Sequence, residues 1–196
     1  PATGEVKRNP LGIKLTGCPL NEKISEMHLM KGQGDSIASL ALVTIDNPMC
    51  AGTGHRICND CMKSCIFQKQ EPVNIPQVET SSLSDVLQMP YGFEIYSLLT
   101  RWNPLNAKRP YALPYNGKNI LVVGLGPAGY TLAHYLLNEG FGVVGMDGLK
   151  IEQLSDQITG ANGRTCPKPV REITDITAEL DERIVSGFGG VSEYGI

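Results

Sequence analysis

Asn119 to Asp147, NILVVGLGPAGYTLAHYLLNEGFGVVGMD, decides the fold. A short apolar run, Ile120 to Val123, leads into Gly124-Leu125-Gly126-Pro127-Ala128-Gly129. A helical pattern through Tyr130, Ala133, Leu136 and Leu137 follows, then a second apolar run that ends on Asp147. The order reads strand, glycine turn, helix, strand. The glycines of a G-x-G-x-x-G turn differ in what they permit. The first makes the tight turn, the second lets the backbone approach a pyrophosphate, and the third lets the helix pack on the sheet. Pro127, Ala128 and Gly129 open the helix, whose unpaired N–H groups and dipole favour a phosphate there. Asp147, about 20 residues beyond the glycines, is placed to accept hydrogen bonds from a ribose hydroxyl. The plain alternative is a glycine-rich turn in an ordinary βαβ unit. Both strands, the helix and the terminal acid in one run favour a dinucleotide.

Working outward, the 196 residues suffice for one or two domains with a core. Charged residues make up 19% and the net charge is -3, without the basic excess of a nucleic-acid surface. The sequence contains neither a secretory signal nor an apolar run of about 18 residues, so no membrane insertion is expected and a cytoplasmic protein is. Of the six cysteines, five precede residue 66. Beside a nucleotide fold such clustering points to a reducing compartment and to metal ligands rather than disulfides.

Residues 1 to 17 read as irregular. Gly17-Cys18-Pro19-Leu20 closes them, and a helix is predicted from Ile24 to the break at Gly32-Gln33-Gly34, with His28 on its packing face. A second is predicted over about Ser36 to Ile45, stopped by Asp46-Asn47-Pro48. Next come Cys50, Cys58, Cys61 and Cys65, spaced C-x7-C-x2-C-x3-C, too dense for core residues and suited to a metal. The C-x2-C-x3-C core fits three corners of a [4Fe–4S] cube, with Cys18 or Cys50 as the fourth. Structural zinc, for which His55 is a further ligand, is the alternative. Glu71 to Pro76 reads as extended through its prolines, with short helices near Ser82 to Leu87 and Phe93 to Trp102. Residues 103–117, holding Pro104, Pro110 and Pro114, read as a wrapped linker, and Arg101, Lys108 and Arg109 as a solvated surface. Cys166 reads as a plain thiol. The two or three strands visible are fewer than a parallel sheet needs, so the sequence reads as part of a longer enzyme.

Taken together, GCPL at 17 to 20, Cys58, Cys61 and Cys65 followed by PVNIPQVE at 72 to 79, GLGPAG at 124 to 129 and the terminal GGVSEYGI occur in the order of one family. The sequence resembles the small subunit of glutamate synthase and its relatives, among them the N-terminal part of dihydropyrimidine dehydrogenase. The resemblance implies a fold of class α + α/β: an N-terminal helical iron–sulfur domain over residues 1–102, the linker, and an incomplete doubly wound, Rossmann-like FAD domain over 118–196, with 148–186 as an insertion. It further implies that Cys18, Cys58 and Cys61 hold one cluster, with Glu79 as a possible fourth ligand. Cys65 corresponds to a second cluster whose other cysteines lie upstream in the family; residues 1 to 17 hold none, so one cluster is expected. Gly189, Gly190 and Tyr194 would lie against the flavin.

The function expected is that of an N-terminal portion of an oxidoreductase, passing electrons between NAD(P)H, FAD and a [4Fe–4S] cluster and serving an electron-transfer partner subunit or domain. The NAD(P)H site is expected beyond Ile196, no catalytic residue is assigned, and these 196 residues alone are expected to hold FAD weakly. The competing readings are a NAD-binding dehydrogenase domain with a structural zinc knuckle and a non-catalytic partner-docking module. Visible absorbance, given by flavin and cluster but not by NAD and zinc, separates the first of these from the expected function.

Overall fold

In the computed structural model, residues 8, 11, 12, 14, 17–54, 58–67, 70–148 and 169–174 are described. His55, Cys166, Gly189, Gly190 and Tyr194, and most of 148–186, lie outside them. The chain divides into two compact units, residues 1–83 and 84–196.

The first unit is helical. α1 (Ile24–Gly32) and α2 (Ser36–Asp46) pack against each other across a tight turn. Gly34 makes that turn at φ +84°, where a Cβ would be strained, and the Asp35 carboxylate accepts the Ala38 N–H at 2.9 Å to cap α2. Met27, Leu40, Ala41 and Val43 are buried. Two single-turn helices follow, α3 (Cys50–Thr53) and α4 (Asp60–Lys63).

The fifth helix, α5 (Ile75–Leu87), starts well before the expected short helix near Ser82. Asn74 explains the difference: its Oδ1 accepts the Gln77 N–H at 3.2 Å, which caps the helix, and its Nδ2 donates to Gln77 Oε1 at 3.1 Å. Pro76 then lies in the first turn, where its missing N–H costs no hydrogen bond. Inside the unit Ser39 Oγ lies 2.9 Å from Ser82 Oγ, and Ser82 donates to the Val78 carbonyl at 3.0 Å. Both serines are fully buried, so this satisfied pair fixes how α2 meets α5.

In the second unit α6 (Gly92–Leu99) follows Tyr91, which has φ +62°. A Cβ at Gly92 would overlap the Val86 carbonyl oxygen. Residues 103–117 are tied down by backbone bonds: Asn103 N–H donates to the Pro110 carbonyl at 2.8 Å and Ala112 N–H to the Arg101 carbonyl at 2.9 Å. Further along, Leu113 N–H reaches the Asn138 carbonyl and Asn116 N–H the Gly140 carbonyl, both at 2.8 Å. The segment therefore delivers the chain to the sheet in a set register. Arg109 pairs with Glu139 at 2.7 Å.

β1 (Asn119–Val123), α7 (Pro127–Asn138) and β2 (Gly142–Met146) form one βαβ unit. The strands are parallel, with Leu121 opposite Val144 and Val123 opposite Met146. α7 packs on both strands. Val122 is buried at 5% exposure, whereas Leu121, Val123, Val144 and Met146 are 56%, 71%, 56% and 49% exposed. No described helix is long and apolar enough to cross a membrane.

Candidate functional site

Residues from three separate stretches of the first unit act on one another through their charges. Cys18 sits in a turn ahead of α1, between Gly17 at φ +84° and Asn21 at φ +55°, with Asn21 N–H donating to the Cys18 carbonyl at 3.2 Å. Cys58 precedes α4 and Cys61 lies inside it. Glu79 comes from α5 and is 7% exposed.

Burial raises the Cys61 thiol to about 11, and the charges of Cys58, Glu79 and Cys18 push it in the same direction. Cys58 is raised first by desolvation of its sulfur, then by the charges of Asp60, Cys18 and Glu22. Glu79 is pushed up to about 8 by burial and by the adjacent Glu22 carboxyl. Glu22 is itself raised, chiefly by burial. The opposite side of Glu79 is held by Asn47, whose Nδ2 donates to Oε2 at 3.3 Å and whose Oδ1 accepts from Thr53 Oγ1 at 3.2 Å. Lys23 stands nearby but is paired with Asp46 at 2.9 Å.

Beside this cluster opens a cavity of about 470 Å³ whose wall includes Cys18, Cys61, Cys65 and His28, rimmed by Ile66 and Phe67. His28 lies within 2.8 Å of the Ile24 carbonyl through Nδ1. A ring nitrogen facing a carbonyl oxygen must be the donor, so Nδ1 carries a hydrogen. The histidine expected to serve packing thus lines the thiol cavity. Cys50 is 2% exposed in α3 and does not line the cavity.

Sulfur donors with a carboxylate form a donor set for a soft or borderline metal, and their protons would leave on binding. Among the described residues, no three His, Cys, Asp or Glu side chains already stand together as a metal-holding group. Glu22 and Asn47 are site residues that the sequence does not announce. For Glu22 the only signal is an acid four positions after Cys18; Asn47 reads as a helix stop and carries no other signal.

The second candidate lies in the other unit. Gly124 has φ +90° and its N–H donates to the Met146 carbonyl at 2.7 Å, which joins the turn to the end of β2. Gly126 caps α7 with Pro127 in the first turn, and a Cβ built on Gly126 would meet nothing within 4 Å. At Gly129, by contrast, a Cβ would overlap the Gly124 carbonyl oxygen. Ala128 is exposed on the first turn. Asp147 accepts the Leu125 N–H at 2.7 Å and the Gly148 N–H at 2.6 Å, so this acid stands over the glycine turn. The Tyr130 hydroxyl, one residue past the last glycine, is buried without a hydrogen-bond partner, and burial raises its pKa.

No family model matches the chain. Over 148 residues, 76% of its length, the chain is 55% identical to "Uncharacterized protein RP006" of Rickettsia prowazekii (strain Madrid E). The match covers 20% of that protein, so the chain spans about a fifth of the length of the curated relative it matches.

Proposed function

We propose that the chain is the N-terminal portion of a flavin- and iron–sulfur-dependent oxidoreductase, passing electrons between NAD(P)H, FAD and a [4Fe–4S] cluster. The observation that carries this reading is the cavity that Cys18, Cys61 and Cys65 line together from two stretches of sequence, with the charges of Cys58 and Glu79 felt at Cys61. Cys18, Cys58, Cys61 and Glu79 would hold the cluster, which when bound supplies one-electron transfer. The exposed Gly126 and the first turn of α7 would receive the ADP half of FAD, with Asp147 on the ribose. An acid there repels a 2′-phosphate, so an NADP-type ligand is disfavoured at this turn. Nicotinamide binding and the electron-transfer partner are assigned to protein outside these residues. A site built from free thiols belongs in a reducing compartment, hence the cytoplasm.

Anaerobically prepared protein is expected to show visible absorbance together with iron and sulfide. Serine at Cys61 should remove the iron; full iron content in Cys61→Ser would overturn the assignment. A second reading is favoured by His28: its Nδ1 bond to a backbone carbonyl is the arrangement that orients zinc-bound histidines, and Cys18, Cys61 and Cys65 share its cavity. Zinc without iron or sulfide in the same preparation decides for it.

A further inference from the structure

We propose that Gly145 is a positioning residue for the nucleotide at the glycine turn: it leaves the seat on which the Leu125 side chain sets the shape of the turn. The inference deepens the dinucleotide part of the proposed function and rests on it. Gly145 stands inside β2, where a glycine weakens a strand and marks a place of close approach. What approaches is Leu125, the residue between the first two glycines of the turn. A Cβ built on Gly145 would lie 2.7 Å from Leu125 Cδ1, 3.2 Å from Cδ2 and 3.4 Å from Cγ. Gly145 is opposite Val122 in the sheet, and Val122 Cγ1 lies 3.8 Å from a Cβ built on Gly129 of α7. Paired positions share a face, so the leucine branch rests on the α7 side of the sheet.

Two bonds hold the backbone up to Leu125 against the end of β2: Gly124 N–H donates to the Met146 carbonyl and Leu125 N–H to Asp147, each at 2.7 Å. The peptide after Leu125 carries the Gly126 N–H, at the glycine where a pyrophosphate would approach. Between these peptides the chain direction is set at Leu125 itself, and the seated side chain resists rotation there. A branched side chain at 145 and the leucine branch cannot share this space. The leucine yields, being the far end of a flexible side chain, and the turn loses its seat. β2 and α7 keep their packing, because the three atoms nearest to the built Cβ all belong to Leu125 and Gly145 is otherwise exposed. The loss therefore falls on the ligand rather than on the fold.

The test uses the 196-residue chain with ADP as the probe. Affinity is read by titration calorimetry, the turn by the Gly126 amide resonance and the fold by a denaturant midpoint. Gly145→Val and Leu125→Ala should each weaken ADP about tenfold and move the Gly126 resonance, a size within the coupling that contacting residues show. The midpoint of Gly145→Val should stay near that of the wild type. In the double variant the valine fills the space that the leucine held, so affinity should return to within about threefold of wild type. A merely structural contact would move the midpoint and would not produce this recovery. Should Gly145→Val fail to fold, Gly145→Ala, alone and with Leu125→Ala, decides in the same way. Wild-type affinity and resonance in Gly145→Val, or a double variant as weak as the two single losses combined, would overturn the role of Gly145 while leaving the nucleotide reading intact. A wild-type chain that does not bind ADP would overturn both.

Discussion

The two units leave opposite kinds of surface open. In the first, apolar side chains close on one another between helices, and the opening that remains is walled by thiols and a histidine. In the second, the glycine turn is closely built, yet one sheet face shows Leu121, Val123, Val144 and Met146 to solvent. A two-stranded parallel sheet covered on one side is not a self-sufficient layer; parallel sheets are stable when both faces are covered. The first unit thus has a core and a mainly apolar cleft that carries thiols in its wall, while the second has a shaped turn on a sheet with two strands among the described residues. Under the proposed function the two differ in what would complete them: a metal for one, further polypeptide for the other.

The sharpest test of this contrast is the glycine turn. Gly129→Ala forces a Cβ into the Gly124 carbonyl, and the resulting shift should cost on the order of 3 kcal/mol, read as a lowered denaturant midpoint. Gly126→Val has open space and should lower that midpoint only slightly, by the about 0.5–1 kcal/mol of a poorer helix cap, while weakening ADP or FAD binding at least about tenfold, or about 1.4 kcal/mol. Equal affinity in wild type and Gly126→Val would remove the nucleotide from this turn.

Next in size is the sheet. Val122→Ala deletes buried methyl groups and should cost about 2 kcal/mol in chemical unfolding. Its neighbour Val123 is open, so Val123→Thr should stay within about 0.5 kcal/mol. A large loss in Val123→Thr would mean that the face is covered in solution and that the two units differ less than their surfaces suggest.

The smallest effect is on pH. Burial lowers the pKa of His134, and Asn138 Nδ2 donates to its Nε2 at 3.0 Å, which also suits the neutral ring. Between the folded-state pKa and about 6.5 the unfolded chain binds the proton more readily. Stability contributed by His134 is therefore present above about pH 6.5 and lost as pH falls below it. Thermal melts from about pH 7.5 to about pH 5.5 should show a shallower acid loss in His134→Gln than in wild type. Identical profiles would show that the burial of His134 is not felt.

What is legible in the sequence follows from how local each signal is. β1, the glycine turn, α7 and β2 are readable because strand period, turn glycines and helix period lie within one short run. α1 and α2 are readable for the same reason, with Gly34 and Asp35 marking their junction. The start of α5 is hidden because prolines argue for extended chain; the competing signal, Asn74 with Gln77, works through side-chain bonds that composition does not reveal. The grouping of Cys18, Cys58, Cys61 and Glu79 is suggested only by family resemblance, since nothing in their spacing links Glu79 to the thiols. Glu22, His28 and Asn47 depend on how the helices meet, which lies beyond any local pattern.

The bond from the Leu125 N–H to Asp147 carries one more consequence. An amide hydrogen held at 2.7 Å by a carboxylate is shielded from exchange with solvent for as long as that carboxylate stays. Any hydroxyl that competes for Asp147 draws on the same oxygens, so the lifetime of the Leu125 hydrogen is coupled to occupancy of the turn. The residue between the first two glycines thereby becomes the backbone position at which arrival of a ribose would be felt first.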